Sequence, residues 1–121
     1  MTRFLLTPAS MAAAVLATLR YAEAGETWVP RIPSARVGDL VRALVAGRCP
    51  VIEVGARPGE KQHEELICDE EAPRTIDRRG GYLIVGPQVE RAPALHGAFA
   101  SSTAPMDAGE TAAFLAEAGI A

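Results

Sequence analysis

The stretch Val51-Ile52-Glu53-Val54-Gly55-Ala56-Arg57-Pro58-Gly59-Glu60-Lys61-Gln62-His63-Glu64-Glu65-Leu66-Ile67 sets the expectation for the fold. Val51–Val54 is β-branched and reads as a strand. Gly55–Gly59 reads as a turn that carries Arg57, and Glu60–Ile67 as a helix or helical turn. A strand-to-helix turn offers free backbone N–H groups and the positive end of a helix dipole, which suits a phosphate. Gly55 and Gly59 would let a ligand approach the backbone closely. A turn rich in glycine, proline and charge also arises for purely structural reasons.

Outward from that stretch, the chain alternates helical and extended segments. Met1–Leu6 is an extended lead-in. Thr7-Pro8 is a helix start, with a hydroxyl cap and then a proline where a missing N–H is harmless. The helix is expected over Pro8–Ala24, stopped by Gly25. Glu26–Val29 reads as a short strand and Pro30–Ser34 as a loop stiffened by two prolines. A second helix is expected from Ser34 or Ala35 to about Ala46, with Val37, Leu40, Val41, Leu44 and Val45 at helical spacing before Gly47. Tyr82–Val85 reads as an edge strand. Pro87, Pro93, Gly97 and Pro105 punctuate a looser stretch, and Asp107–Gly119 is helical again. The expected fold class is α/β: a small mixed lobe of helices and short strands over residues 1–86, then a loose tail over 87–121 ending in a short helix.

Composition narrows the function classes. The 121 residues are 49% hydrophobic and 22% charged, which is globular rather than disordered. A net charge of −3 argues against wholesale nucleic-acid binding. Lys61 is the only lysine among the 12 basic residues. Coding bias accounts for such a preference; so does a need for the arginine fork at phosphate. Cys49 and Cys68 lack metal-type spacing, and His63 and His96 are far apart, so no metal site is expected. No run is long enough for a transmembrane helix. Arg3, the apolar Phe4–Leu19 segment and Ala22-Glu23-Ala24 have the outline of a secretory signal, but Thr7, Pro8 and Ser10 interrupt it.

Three segments in order, Met1-Thr2-Arg3-Phe4, Val29-Pro30-Arg31-Ile32-Pro33-Ser34 and Gly55-Ala56-Arg57-Pro58-Gly59-Glu60-Lys61-Gln62-His63-Glu64-Glu65-Leu66-Ile67, resemble the C-terminal motifs of the bacterial UDP-N-acetylglucosamine 4,6-dehydratases. These act in capsule and flagellin-sugar biosynthesis and belong to the extended short-chain dehydrogenase/reductase superfamily. The resemblance covers most of residues 1 to about 86. Phe99-Ala100-Ser101-Ser102 through Phe114 is similar to the family's last segment, more distantly.

The resemblance implies that Arg3 and Arg57 meet the diphosphate of a UDP-sugar and that Glu60 accepts hydrogen bonds from the ribose hydroxyls. It places the loop holding Arg31 and Ser34 beside the sugar nucleotide; Arg31 stands where the family often has lysine. It also implies a cytoplasmic protein. The family's chemistry needs NAD or NADP on a Gly-rich turn and a Tyr-x-x-x-Lys pair. Neither occurs here: Gly25 follows Tyr21 by four residues and Gly86 follows Tyr82 by four. No catalytic or cofactor-binding residue is therefore expected in this chain, and the nicotinamide cofactor would sit on a separate N-terminal nucleotide-binding domain. A homo-oligomer is the other expected partner. Met1 falls where the family's chain is already well advanced, which a misplaced start, a gene fragment or one half of a split enzyme each explain. The alternatives are a stand-alone binding or interaction module, and a small secreted protein cleaved after Ala24 with a Cys49–Cys68 bridge.

Overall fold

The structure is a computed structural model that describes residues 1–78, 81–86 and 92–120. In chain order the elements are β1 (Thr2–Phe4), α1 (Pro8–Tyr21), β2 (Thr27–Pro30), β3 (Ser34–Arg36), α2 (Val37–Val45), β4 (Glu65–Ile67), a 3₁₀ turn (Ala72–Arg74), β5 (Thr75–Arg78), β6 (Tyr82–Val85), β7 (Phe99–Ala100), β8 (Pro105–Met106) and α3 (Ala108–Glu117). Among the described residues, three α-helices and small sheets make a mixed α/β chain, as expected. Its contacts cluster into two units, each discontinuous in sequence.

The first unit holds residues 1–5, 33–64 and 101–121. Its sheet has the order β1-β3-β8, with β1 antiparallel and β8 parallel to β3. The second helix begins at Val37 rather than at Ser34 or Ala35, because Ser34–Arg36 pairs with Thr2–Phe4 and cannot also be helical. It ends with Ala46 in the left-handed region, φ 47°. Helix α3 packs on α2. A capping box opens it: the Asp107 side chain accepts from the Glu110 N–H, and the Glu110 side chain accepts from the Asp107 N–H.

The second unit holds residues 6–32 and 65–100. Helix α1 starts as read: the Thr7 hydroxyl accepts from the Ser10 N–H, and Pro8 stands in the first turn. It closes at Tyr21, three residues before the expected end. Antiparallel strands β2, β6 and β5 form a sheet in that order. The run Tyr82–Val85 is thus the central strand, not an edge. Leu83, Ile84 and Val85 are all buried, the continuous apolar pattern of a strand covered on both faces. Val29, Ile67, Leu83 and Val85 make the core, with Ala94, Leu95 and Phe99 packed against it.

Two expectations around the opening stretch are overturned. Val51–Val54 is not a strand: Ile52 and Val54 are 80% and 81% exposed, and the run has no ladder partner among the described residues. β-propensity without a partner leaves N–H and C=O groups that only solvent satisfies. Glu60–Ile67 is not a helix. Its start is irregular and tied to β1, where the Thr2 N–H donates to Gln62 O, and its end pairs as β4 with β7. These tertiary bonds override the good helix propensity of Glu, Lys and Gln. Pro87, and with it the first residues of the segment read as a loose tail, lies outside the described residues.

Candidate functional site

With neither strand nor helix in place, the phosphate argument from a helix N-terminus falls away. What remains at Arg57 is a tight turn. The Arg57 N–H donates to Glu60 Oε2 at 3.0 Å, and the Glu60 N–H donates back to Arg57 O at 3.0 Å. Gly55 and Gly59, at φ 75° and 80°, give the loop a curvature that side chains rarely adopt. The Arg57 guanidinium makes no hydrogen bond or ion pair to any described residue, so all its N–H donors remain available.

Arg57 and Glu60 line one cavity of about 820 Å³ within the first unit. Val37, Gly38, Val41 and Arg42 of α2 line it too, together with Met1, Val51–Ala56 and Gln62. Its size suits a small organic ligand. Apolar side chains and two cation–carboxylate sets, Arg42 and Arg57 against Glu53 and Glu60, share its lining. The sequence did not single out Arg42 or the apolar wall. The helical spacing of α2 was visible, but which face met the 51–57 loop was not.

The other residues singled out from the sequence are placed differently. Arg3 does not line this cavity. Its Nη1 donates to Thr2 O at 2.7 Å and its Nη2 to Lys61 O at 2.9 Å, with Nε 3.7 Å from Glu64 Oε1. Arg3 thereby ties β1 to the segment that follows the Arg57 turn. Ser34 is buried and donates to Ser101 O at 2.8 Å. Arg31 belongs to the second unit and donates to Asp77 Oδ2 at 2.8 Å.

The same unit holds a polar network that the sequence did not single out. The fully buried Ser101 hydroxyl bonds Thr2 Oγ1 at 2.7 Å and accepts from the Glu64 N–H at 2.8 Å. Thr2 Oγ1 also meets His63 Nδ1 at 2.8 Å, and Glu64 Oε2 accepts from the Phe4 N–H at 2.8 Å. No buried side-chain nitrogen or oxygen among the described residues lacks a partner, so this network is a fixed support rather than an empty site. Among those residues no three His, Cys, Asp or Glu side chains converge as a metal ion requires. Both cysteines are free thiols. No helix among the described residues is long and apolar enough to cross a membrane.

The mixed α/β architecture is shared with a solved protein, the X-ray structure of Pen from Bacillus thuringiensis. The TM-score is 0.86 at 20% identity, covering 100% of this chain and 39% of that one. The chain belongs to the polysaccharide biosynthesis protein family, whose model matches residues 1–85. An uncharacterized membrane protein of Methanocaldococcus jannaschii is 33% identical over 81 residues, 59% of this chain and 24% of that protein. A UDP-N-acetylglucosamine 4,6-dehydratase (inverting) of Campylobacter jejuni is 33% identical over 84 residues, 69% of this chain and 25% of that enzyme. The same enzyme from a second strain of that species is 32% identical over the same length. The chain spans about a quarter of the length of the curated relatives it matches.

Proposed function

We propose that this chain is the UDP-sugar-binding part of a UDP-N-acetylglucosamine 4,6-dehydratase-like protein, and that it performs no chemistry by itself. The carrying observation is the Arg57–Glu60 turn on an 820 Å³ cavity, in a chain of the polysaccharide biosynthesis family. A guanidinium with no partner among the described residues suits a phosphate, and a carboxylate, which only accepts, suits a ribose diol. The apolar wall gives the nucleoside a surface to leave water against.

Dehydration at C5–C6 with transient oxidation at C4 needs a nicotinamide cofactor and an acid–base pair. The 121 residues contain no Gly-rich dinucleotide fingerprint and no Tyr-x-x-x-Lys pair. A nucleotide-binding domain outside this chain would supply both, with the reaction in the cytoplasm, where nucleotide sugars are made. Calorimetric titration with UDP-N-acetylglucosamine tests the reading. Saturable binding that UDP competes away, with neither NAD nor NADP bound and no 4-keto-6-deoxy sugar formed, is the expected result. Turnover by the pure chain, or no competition by UDP, would overturn it.

A further inference from the structure

A second guanidinium faces the cavity from a different element, and a buried carboxylate holds it there. Asp39 is only 6% exposed, although it is ionisable and lies on the first turn of α2. Its Oδ1 accepts from Arg42 Nη1, one helical turn on, and its Oδ2 lies 3.9 Å from Arg36 Nη1. A carboxylate is seldom buried without cationic partners, and truncating one partner leaves an uncompensated charge. The Arg42 side chain itself is three-quarters exposed, at 75%. Its Nη2 lies 3.8 Å from where a Cβ on Gly38 would stand, and Gly38 lines the same cavity. Asp39 thus occupies one arm of the fork, leaving Nη2 and Nε as donors without another partner among the described residues.

We propose that Arg42 is a second anion-binding residue of this cavity, positioned by Asp39, so that the cavity takes a ligand with two linked phosphoryl groups. The inference rests on the sugar-nucleotide reading for the identity of the ligand, but not for its charge. Arg42 and Arg57 come from different elements, the helix and the loop, and both line one space with Glu53 and Glu60. That lining is charge-balanced. It favours a ligand with a concentrated anionic part and a neutral, hydroxyl-bearing part over a bare polyanion. One guanidinium satisfies one phosphoryl group, and the second makes the diphosphate better than the monophosphate.

The test is titration of the full chain with UDP, UMP and inorganic pyrophosphate, for the parent and for Arg42→Gln, Arg57→Gln and Asp39→Asn, each checked by circular dichroism. Arg42→Gln is expected to weaken UDP about tenfold, about 1.4 kcal/mol, and UMP much less, erasing the parent's preference for UDP. Asp39→Asn keeps the Arg42 charge but releases its anchor, so the UDP-to-UMP ratio should fall by several-fold. A merely structural role would lower both ligands equally, and that result overturns the assignment to Asp39. Arg42→Gln binding UDP like the parent while Arg57→Gln loses it overturns the inference and leaves the sugar-nucleotide reading intact. Pyrophosphate binding that depends on Arg42, with UDP no tighter than pyrophosphate, sustains the inference and overturns the reading. A parent that binds none of the three overturns both.

Discussion

Arg57 and Ser101 show how differently two polar residues of one unit are used. Arg57 stands exposed on a turn closed by Glu60, with its guanidinium unpaired among the described residues. Removing it should leave the fold alone and act on the ligand. Arg57→Ala is expected to weaken UDP-N-acetylglucosamine binding about 10- to 100-fold, since a charge-assisted hydrogen bond contributes about 1.5–3 kcal/mol and about 1.4 kcal/mol is tenfold. Arg57→Lys should recover part of that, because lysine keeps the charge but not the fork. Titration of the variants, with unchanged circular dichroism, is the check. Ser101 is the reverse case. It is fully buried and serves the Thr2 hydroxyl and the Glu64 N–H together. Ser101→Ala leaves the Glu64 N–H without this partner and leaves the Thr2 hydroxyl only His63, and should destabilise the chain by about 2 kcal/mol, seen as a lower urea midpoint.

At the scale of elements, the starts of α1 and α3 were the most legible feature, because their chemistry is local. Thr7-Pro8 starts α1, and Asp107 with Glu110 starts α3, each within four residues of sequence. The end of α2 carries a cost. Ala46 is the only non-glycine residue with positive φ among those described, and its left-handed conformation costs about 1–2 kcal/mol for a side chain. Ala46→Gly should stabilise the chain by about 0.5–1 kcal/mol, once the greater freedom of unfolded glycine is offset. A melting temperature unchanged or lowered would show that the cost lies elsewhere. Strands fared worse than helices. Val51–Val54 has the composition of a strand and no partner, whereas Ser34–Arg36 has no strand-like pattern and pairs on both sides.

At the scale of the whole molecule, each unit leaves apolar surface in water. In the second unit, Leu16 and Leu19 of α1 are well exposed, Leu19 by 80%, and α1 borders an apolar cavity of about 410 Å³ with Trp28, Pro30 and Ile32. In the first, Val51, Ile52 and Val54 are exposed beside the candidate site. Such surface marks interaction sites or aggregation liabilities. The chain is therefore expected to bind a hydrophobic dye while folded. Leu16→Lys combined with Leu19→Lys should reduce that signal markedly and change stability by no more than about 0.5 kcal/mol per site, since neither side chain is in a core. A dye signal that the double variant leaves untouched would place the sticky surface elsewhere, with the 51–54 run the next to test.

The sequence by itself determined the family, the mixed α/β class, the starts of α1 and α3 and the presence of a turn carrying Arg57. Each of these is written in short segments whose meaning depends on neighbours a few residues away. Tertiary structure alone decided that Glu60–Ile67 is not helical and ends as a strand, that Tyr82–Val85 lies at the centre of its sheet, and that Arg42 reaches the cavity of Arg57. It also set Arg3 on the backbone of Lys61 and Ser34 on Ser101. Strand pairing and cavity lining join residues tens of positions apart, and a hydrogen-bond partner at that distance leaves no periodic mark on the sequence.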